Sequence, residues 1–342
     1  MYFNRKEIER DIETLVDILK STHKVDEYKY LKCNINLLLD LYKNVFHKDY
    51  SIIVPRIPLL EVVISREDKS VNQIYREEYL NNKKYHDDIV QSVYSIMSKY
   101  DLSGQIKQEA IRLHTFLDIV NSFFADYGGG LNKTYQDLVK KSHIDFFSIK
   151  DNHSSETNNI FMLNKSYVTL NTRNDVEGLL TFAHEIGHAY AHSMLKDNKA
   201  SYDDCMSFYE FYSSFMERLM IDYLLRNNIM VEDTNKSNYN YFKFFKKYAH
   251  DLSLFKDYSE AKVLENNSIL SHSMIYFYGE YLGLIKENDY YEDREGTIER
   301  IDDYLRQQSL VSREESLDIL GIDYDELVSG KKLKRVLNKN NM

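Results

Sequence analysis

Apolar residues recur every three or four positions through most of this chain. Ile8, Ile12, Leu15, Val16 and Leu19 form one such stripe, and similar amphipathic runs cover about residues 29–46, 72–99 and 105–126. That spacing predicts helices throughout the first third. Pro55 and Pro58 mark an extended break between two of these runs, and Gly128-Gly129-Gly130 marks a loop. From His143 to Asn171 the pattern changes to short segments, IDFFSI, NIFML and SYVTL, split by the polar stretch DNHSSETNN. Their β-favouring composition predicts a small antiparallel sheet. Helical periodicity then returns at about 175–197, 206–226, 238–255, 260–286 and 296–309, followed by short helices around EESLDIL and DYDELV. Two prolines and eleven glycines in 342 residues leave few breaks, which fits a mainly α protein.

Charge narrows the partners. Lys and Arg number 44 against 54 Asp and Glu, a formal charge of -10, which disfavours nucleic acid or an anionic membrane and points to a peptide or small-molecule substrate. Cys33 and Cys205 are too few for a disulfide framework or a cysteine-based zinc site, so a reducing, cytoplasmic home is expected. Charges interrupt every apolar run of MYFNRKEIERDIETLVDILK, which therefore reads as neither a signal peptide nor a membrane span.

The chemistry concentrates in TRNDVEGLLTFAHEIGHAYAH. Asn174 is placed to cap a helix there, with Glu177 three residues on among the first-turn amides. Four residues make a little more than one helical turn, so His184 and His188 project from one face and can share a metal, with Glu185 at the edge of that face. In this pattern two imidazoles hold Zn²⁺ while the carboxylate between them moves the proton of the attacking water. A catalytic zinc needs a third protein ligand and an open position. The candidates are Glu210, Glu217, His192, Asp203 and Asp204. Glu210 and Glu217 stand seven residues apart on the helix predicted for SFYEFYSSFMERLMIDYLL, amid apolar neighbours. Carboxylates in such a helix need partners. Glu210 as ligand, with Glu217 accepting from the other N–H of a ligand imidazole, supplies both. A third feature, SHSMIYFYGEYLGLI, crowds His272, Tyr276, Tyr278 and Tyr281 together. These residues either pack or stabilise an oxyanion, a role open to a phenol or an imidazole.

The segment YVTLNTRNDVEGLLTFAHEIGHAYAH resembles the active-site segment of oligoendopeptidase F, of the thimet oligopeptidase family of gluzincins. FFADYGGGLNKTYQDLVKKSHIDFF, FYEFYSSFMERLMIDYLL and SREESLDILGIDYDELV extend the resemblance over roughly residues 115–335. It implies a mainly α-helical zinc-peptidase fold with a small antiparallel sheet beside the site. It also implies one zinc per chain on His184, His188 and Glu210, Glu185 as general base and acid, and Glu217 behind a ligand histidine. Tyr278, Tyr281 and His272 are its candidates for the oxyanion. The implied organisation is a helical N-terminal region, 1–127, acting as a reduced roof, and a zinc-peptidase catalytic region, 128–342. The expected activity is endopeptidase cleavage of short or unstructured peptides. A metallocarboxypeptidase with the same ligand set is the enzymatic alternative, and a zinc-containing peptide-binding protein the alternative without turnover.

Overall fold

The apolar stripe of the first twenty residues closes into a helix, α1 (Arg5–Ser21), with Ile8, Ile12, Leu15, Val16 and Leu19 all buried. The computed structural model describes residues 3–57, 60–61, 70–100, 109–146, 154–171, 173–195, 208–308 and 310–339. Among these, α1 is followed by α2 (Val25–Phe46), α3 (Val71–Asn81), α4 (Lys83–Met97), α5 (Leu113–Tyr127) and α6 (Gly129–Lys140). Three strands come next: β1 (Ile144–Phe146), β2 (Glu156–Ile160) and β3 (Lys165–Leu170). The remainder is helical: α7 (Val176–Met194), α8 (Phe211–Arg226), α9 (Val231–Ser253), α10 (Glu260–Glu265), α11 (Asn267–Glu292), α12 (Arg294–Gln307), α13 (Arg313–Leu320), α14 (Tyr324–Ser329) and α15 (Lys331–Lys339). None of the described helices is long and apolar enough to cross a membrane.

By contacts the chain divides into two compact units, the first made of Met1–Asp68, His114–Arg173 and Glu185–Ala200. Its core joins the α1 stripe to Leu31, Ile35, Leu38 and Leu41 of α2 and reaches Ile160 and Tyr167 of the sheet. Each such aliphatic side chain contributes about 1.5–3 kcal/mol when fully buried. The polar seam is also satisfied, since Tyr167 Oη donates to Asp11 at 2.7 Å and Lys165 Nζ bonds Asp11 and Glu7. Between α5 and α6 the glycines make a sharp turn rather than a loop. Gly128 takes φ +74, and helix resumes at once.

The sheet is mixed, which corrects the antiparallel expectation. β2 and β3 pair antiparallel, from Glu156 opposite Thr169 to Ile160 opposite Lys165, around a 3₁₀ turn at Phe161–Leu163. β1 lies on the other side of β3 and runs parallel to it, with Ile144 opposite Val168. Successive strands still alternate in direction, but β3 inserts between β1 and β2, so the neighbour two strands along the chain is parallel. Residues 147–149 of IDFFSI lie outside the described residues.

The second unit is Lys69–Leu113, Asn174–His184 and Ser201–Met342. The run expected at 72–99 is two helices, broken at Asn82, and the run at 260–286 breaks at Asn266 into α10 and α11. Helix α11 is buried on every side from Phe277 to Glu287, charged residues included, and packs against α3, α8, α9, α12 and α15. Its closest neighbour is α8. An added Cβ on Gly283 would stand 2.9 Å from the Phe215 amide nitrogen, and one on Gly279 2.6 Å from Glu210 Cβ. Only glycine lets these two backbones meet. Arg218 of α8, fully buried, ties the same pair by donating to Glu287 of α11, from Nε to Oε2 at 2.9 Å and from Nη2 to Oε1 at 3.1 Å.

Candidate metal centre

Helix α7 starts one residue later than expected. Asp175, not Asn174, supplies the cap, its Oδ1 accepting from Gly178 N at 3.0 Å, while the Asn174 carbonyl accepts from Ile111 N. Glu177 in the first turn accepts from Ser237 Oγ at 3.0 Å. The apolar positions Leu179, Leu180, Phe182, Ala183, Ile186 and Ala189 are buried, which presents His184 and His188 together.

Glu210 is not inside a helix, as the periodicity predicted, but immediately ahead of α8, with φ -83 and ψ 0. Its position is fixed from two sides. Ser213 Oγ reaches the Glu210 main-chain oxygen at 2.9 Å and Oε2 at 3.0 Å, and α11 passes so close at Gly279 that a Cβ there would stand 2.6 Å from Glu210 Cβ. Glu217 follows two turns along α8. His184 lies between the two carboxylates, with Nε2 at 3.1 Å from Glu210 Oε2 and Nδ1 at 2.6 Å from Glu217 Oε1. Burial pulls the His184 imidazole down, but hydrogen bonds and charge from Glu210 and Glu217 outweigh it and hold it well above its usual value.

Among the described residues His184, His188 and Glu210 form a group able to hold a metal ion, their donor atoms all within 4.8 Å of one another. Two ligand atoms about 2.0–2.1 Å from a tetrahedral zinc would stand about 3.3 Å apart. The 3.1 Å between His184 Nε2 and Glu210 Oε2 has that spacing. Two imidazoles and a carboxylate are a donor set suited to zinc, and Glu217 Oε1 faces the other nitrogen of His184, Nδ1. Glu185, also buried, turns to Thr157 of β2, whose Oγ1 lies 2.7 Å from Glu185 Oε2.

The other sequence candidates lie elsewhere. His192 Nδ1 meets Ser166 Oγ at 3.0 Å, the ring packs on Phe161, and burial pushes the imidazole down to about 4. Asp203 and Asp204 lie outside the described residues. His272 is exposed, against Tyr248 and Tyr276. Tyr278 bonds His86 Nδ1 at 2.6 Å, and Tyr281 donates to the Leu327 carbonyl at 2.7 Å. Their hydroxyls are thus engaged away from His184 and Glu210. Three residues at the site escaped the sequence reading: Ser213, Thr157 and Gly279. Ser213 was open to inference as a hydroxyl in the first turn after Glu210, whereas Thr157 and Gly279 act across tertiary contacts that leave no periodic trace. Glu280, a lone carboxyl in the apolar run of α11, is held well above the usual carboxyl range by burial and by the charge of Glu217.

No family model and no curated protein matches the chain in sequence. Solved structures match it in fold. One, described as an oligoendopeptidase F from Bacillus anthracis str. Ames, superposes with a TM-score of 0.54 at 11% identity, over 93% of this chain and 67% of its own. A second, also described as an oligoendopeptidase F, gives 0.53 at 10% identity over 93% of this chain and 65% of its own. PZ peptidase A with an inhibitor gives 0.52 at 10% identity, over 95% and 70%. The chain spans about two thirds of the length of these structures. The likeness includes the N-terminal helices as well as the segments that carry the sequence resemblance. At such identity it is a likeness of fold: the chain is a mainly helical protein with a small mixed sheet, built on the architecture of oligoendopeptidase F-type structures.

Proposed function

We propose that this chain is a zinc-dependent endopeptidase acting on short or unstructured peptides. The observation that carries the reading is the grouping of His184, His188 and Glu210, with Glu217 on the far nitrogen of His184. The fold shared with structures described as peptidases supports it. His184, His188 and Glu210 would hold one zinc per chain, which when bound supplies Lewis acidity toward water and the scissile carbonyl. Glu185 takes the proton of the attacking water and returns it to the leaving amine, so one buried carboxyl serves as base and then as acid. Glu217 holds His184 in the tautomer that leaves Nε2 for the metal, and Ser213 holds the Glu210 carboxylate toward it. An acidic chain of net charge -10 is suited to peptides rather than nucleic acid.

The test joins metal analysis with a mass-spectrometric digest of a peptide library, including peptides with blocked C-termini. One equivalent of zinc and internal cleavage of the blocked peptides are expected. Cleavage restricted to free C-termini would make the protein a carboxypeptidase. Peptide binding without cleavage at full zinc occupancy would make it a binding protein.

A further inference from the structure

Thr157 stands on β2, and its hydroxyl crosses to α7. Oγ1 lies 2.8 Å from the Glu185 main-chain oxygen and 2.7 Å from Glu185 Oε2. A threonine hydroxyl carries one proton, so it serves one acceptor at a time while its oxygen remains against both. Contacts from a single atom to the backbone and to the tip of the same residue restrict the torsions between those two points. A glutamate without such a contact rotates about three side-chain bonds, and its carboxylate sweeps several ångströms. Thr157 is a firm anchor for this purpose. Its β-branched side chain is stiff at χ1, and β3 fixes its strand by pairing Thr157 with Val168.

We infer that Thr157 is a positioning residue, which fixes the Glu185 carboxylate in the place where it meets the attacking water. The inference rests on the reading of Glu185 as the base proposed above, and it adds a residue that no spacing in the sequence links to the histidine motif. Thr157 touches neither the metal group nor the substrate in this role. It acts only through Glu185. Reactions of positioned groups are steep in geometry, and displacement by about 1 Å can lower a rate by about 10²-fold.

The test compares Thr157→Val, which keeps the shape but removes the hydroxyl, with Thr157→Ser, which keeps the hydroxyl, in the zinc-loaded full chain. Thr157→Ala repeats the comparison if the valine variant fails to fold. Thr157→Val should lower kcat by about 10-fold or more with KM little changed, the pattern of a group acting in the transition state. Thr157→Ser should restore most of the loss, and zinc content should be equal in both variants and the wild type. The second readout needs no turnover. Crystal structures of the metal-free proteins should show the Glu185 carboxylate in its original place in the serine variant and displaced, or spread over rotamers, in the valine variant. Wild-type kcat in Thr157→Val with Glu185 unmoved overturns the inference, and so does an equal loss in the serine and valine variants, which would assign the effect to packing. If the wild-type protein at full zinc occupancy cleaves no peptide, the proposed function fails, and the Glu185 conformers still decide for or against Thr157.

Discussion

Replacing Gly279 with alanine should damage the metal site through the backbone. An ideal Cβ at this position stands 2.6 Å from Glu210 Cβ and 3.0 Å from both the carbonyl carbon and oxygen of Glu210. Non-bonded carbons settle at about 3.5–4.0 Å, so the two helices must separate by about 1 Å or Glu210 must move by that much. Overpacking of this kind costs about 1–3 kcal/mol. Alanine in a helix interior recovers about 0.5–1 kcal/mol relative to glycine, so the net expectation is a loss of up to about 2.5 kcal/mol. Gly283→Ala provides the control, because its Cβ would press on Phe215 N and Ser214 C, about one helical turn beyond Glu210 and not on Glu210 itself. Both variants should lose similar stability in urea denaturation of the metal-free protein. Only Gly279→Ala should also weaken zinc, by about 10-fold or more in a competitive chelator titration, the scale seen when a ligand is misoriented. If Gly279→Ala binds zinc as tightly as Gly283→Ala, Gly279 does not position Glu210, and the reasoning fails.

Glu210→Ala should lose most of its metal, while Glu217→Ala should weaken binding by about 10–100-fold, as loss of an outer partner does; equal zinc retention in Glu210→Ala and wild type, read by metal analysis, would refute the ligand assignment. Glu185→Gln should keep the fold and the zinc yet lose at least roughly 10²-fold in peptide hydrolysis, and near-normal turnover in zinc-replete protein would count against Glu185 as the base. Tyr278→Phe leaves His86 Nδ1 without its 2.6 Å partner, so denaturation should show a loss of about 1–3 kcal/mol, the cost of a buried unsatisfied group; an unchanged stability with a lowered kcat would instead place Tyr278 in catalysis. Burial holds His192 at about 4, below its usual 6.5, so the unfolded chain takes up the proton first as pH falls. The stability contributed by the neutral imidazole is present above about pH 6.5 and is lost as pH falls toward about 4. His192→Gln should flatten that part of the pH–stability curve, and an identical slope would show that His192 does not contribute.

The sequence by itself determined the helical character of the chain, the place of the strands and the grouping of residues able to hold a metal. His184 and His188 are four residues apart on one element, so helical geometry alone brings them together. Glu210 and Glu217 were readable for a related reason: acidic residues amid an apolar run have to find partners, and each meets one nitrogen of His184. Direction of pairing was not readable. β1 is parallel to β3 because β3 inserts between β1 and β2, a matter of strand order on which alternation within each strand is silent. Element ends were also decided locally in three dimensions. Asp175 rather than Asn174 caps α7 because the Asn174 carbonyl is already taken by Ile111 N, from a segment more than sixty residues earlier in the chain. The contacts of Thr157 with Glu185 and of Gly279 with Glu210 join positions 28 and 69 residues apart. No periodicity encodes such pairs. They exist because tertiary packing brings a strand hydroxyl and a helix backbone to within contact of residues whose identity the sequence had already announced.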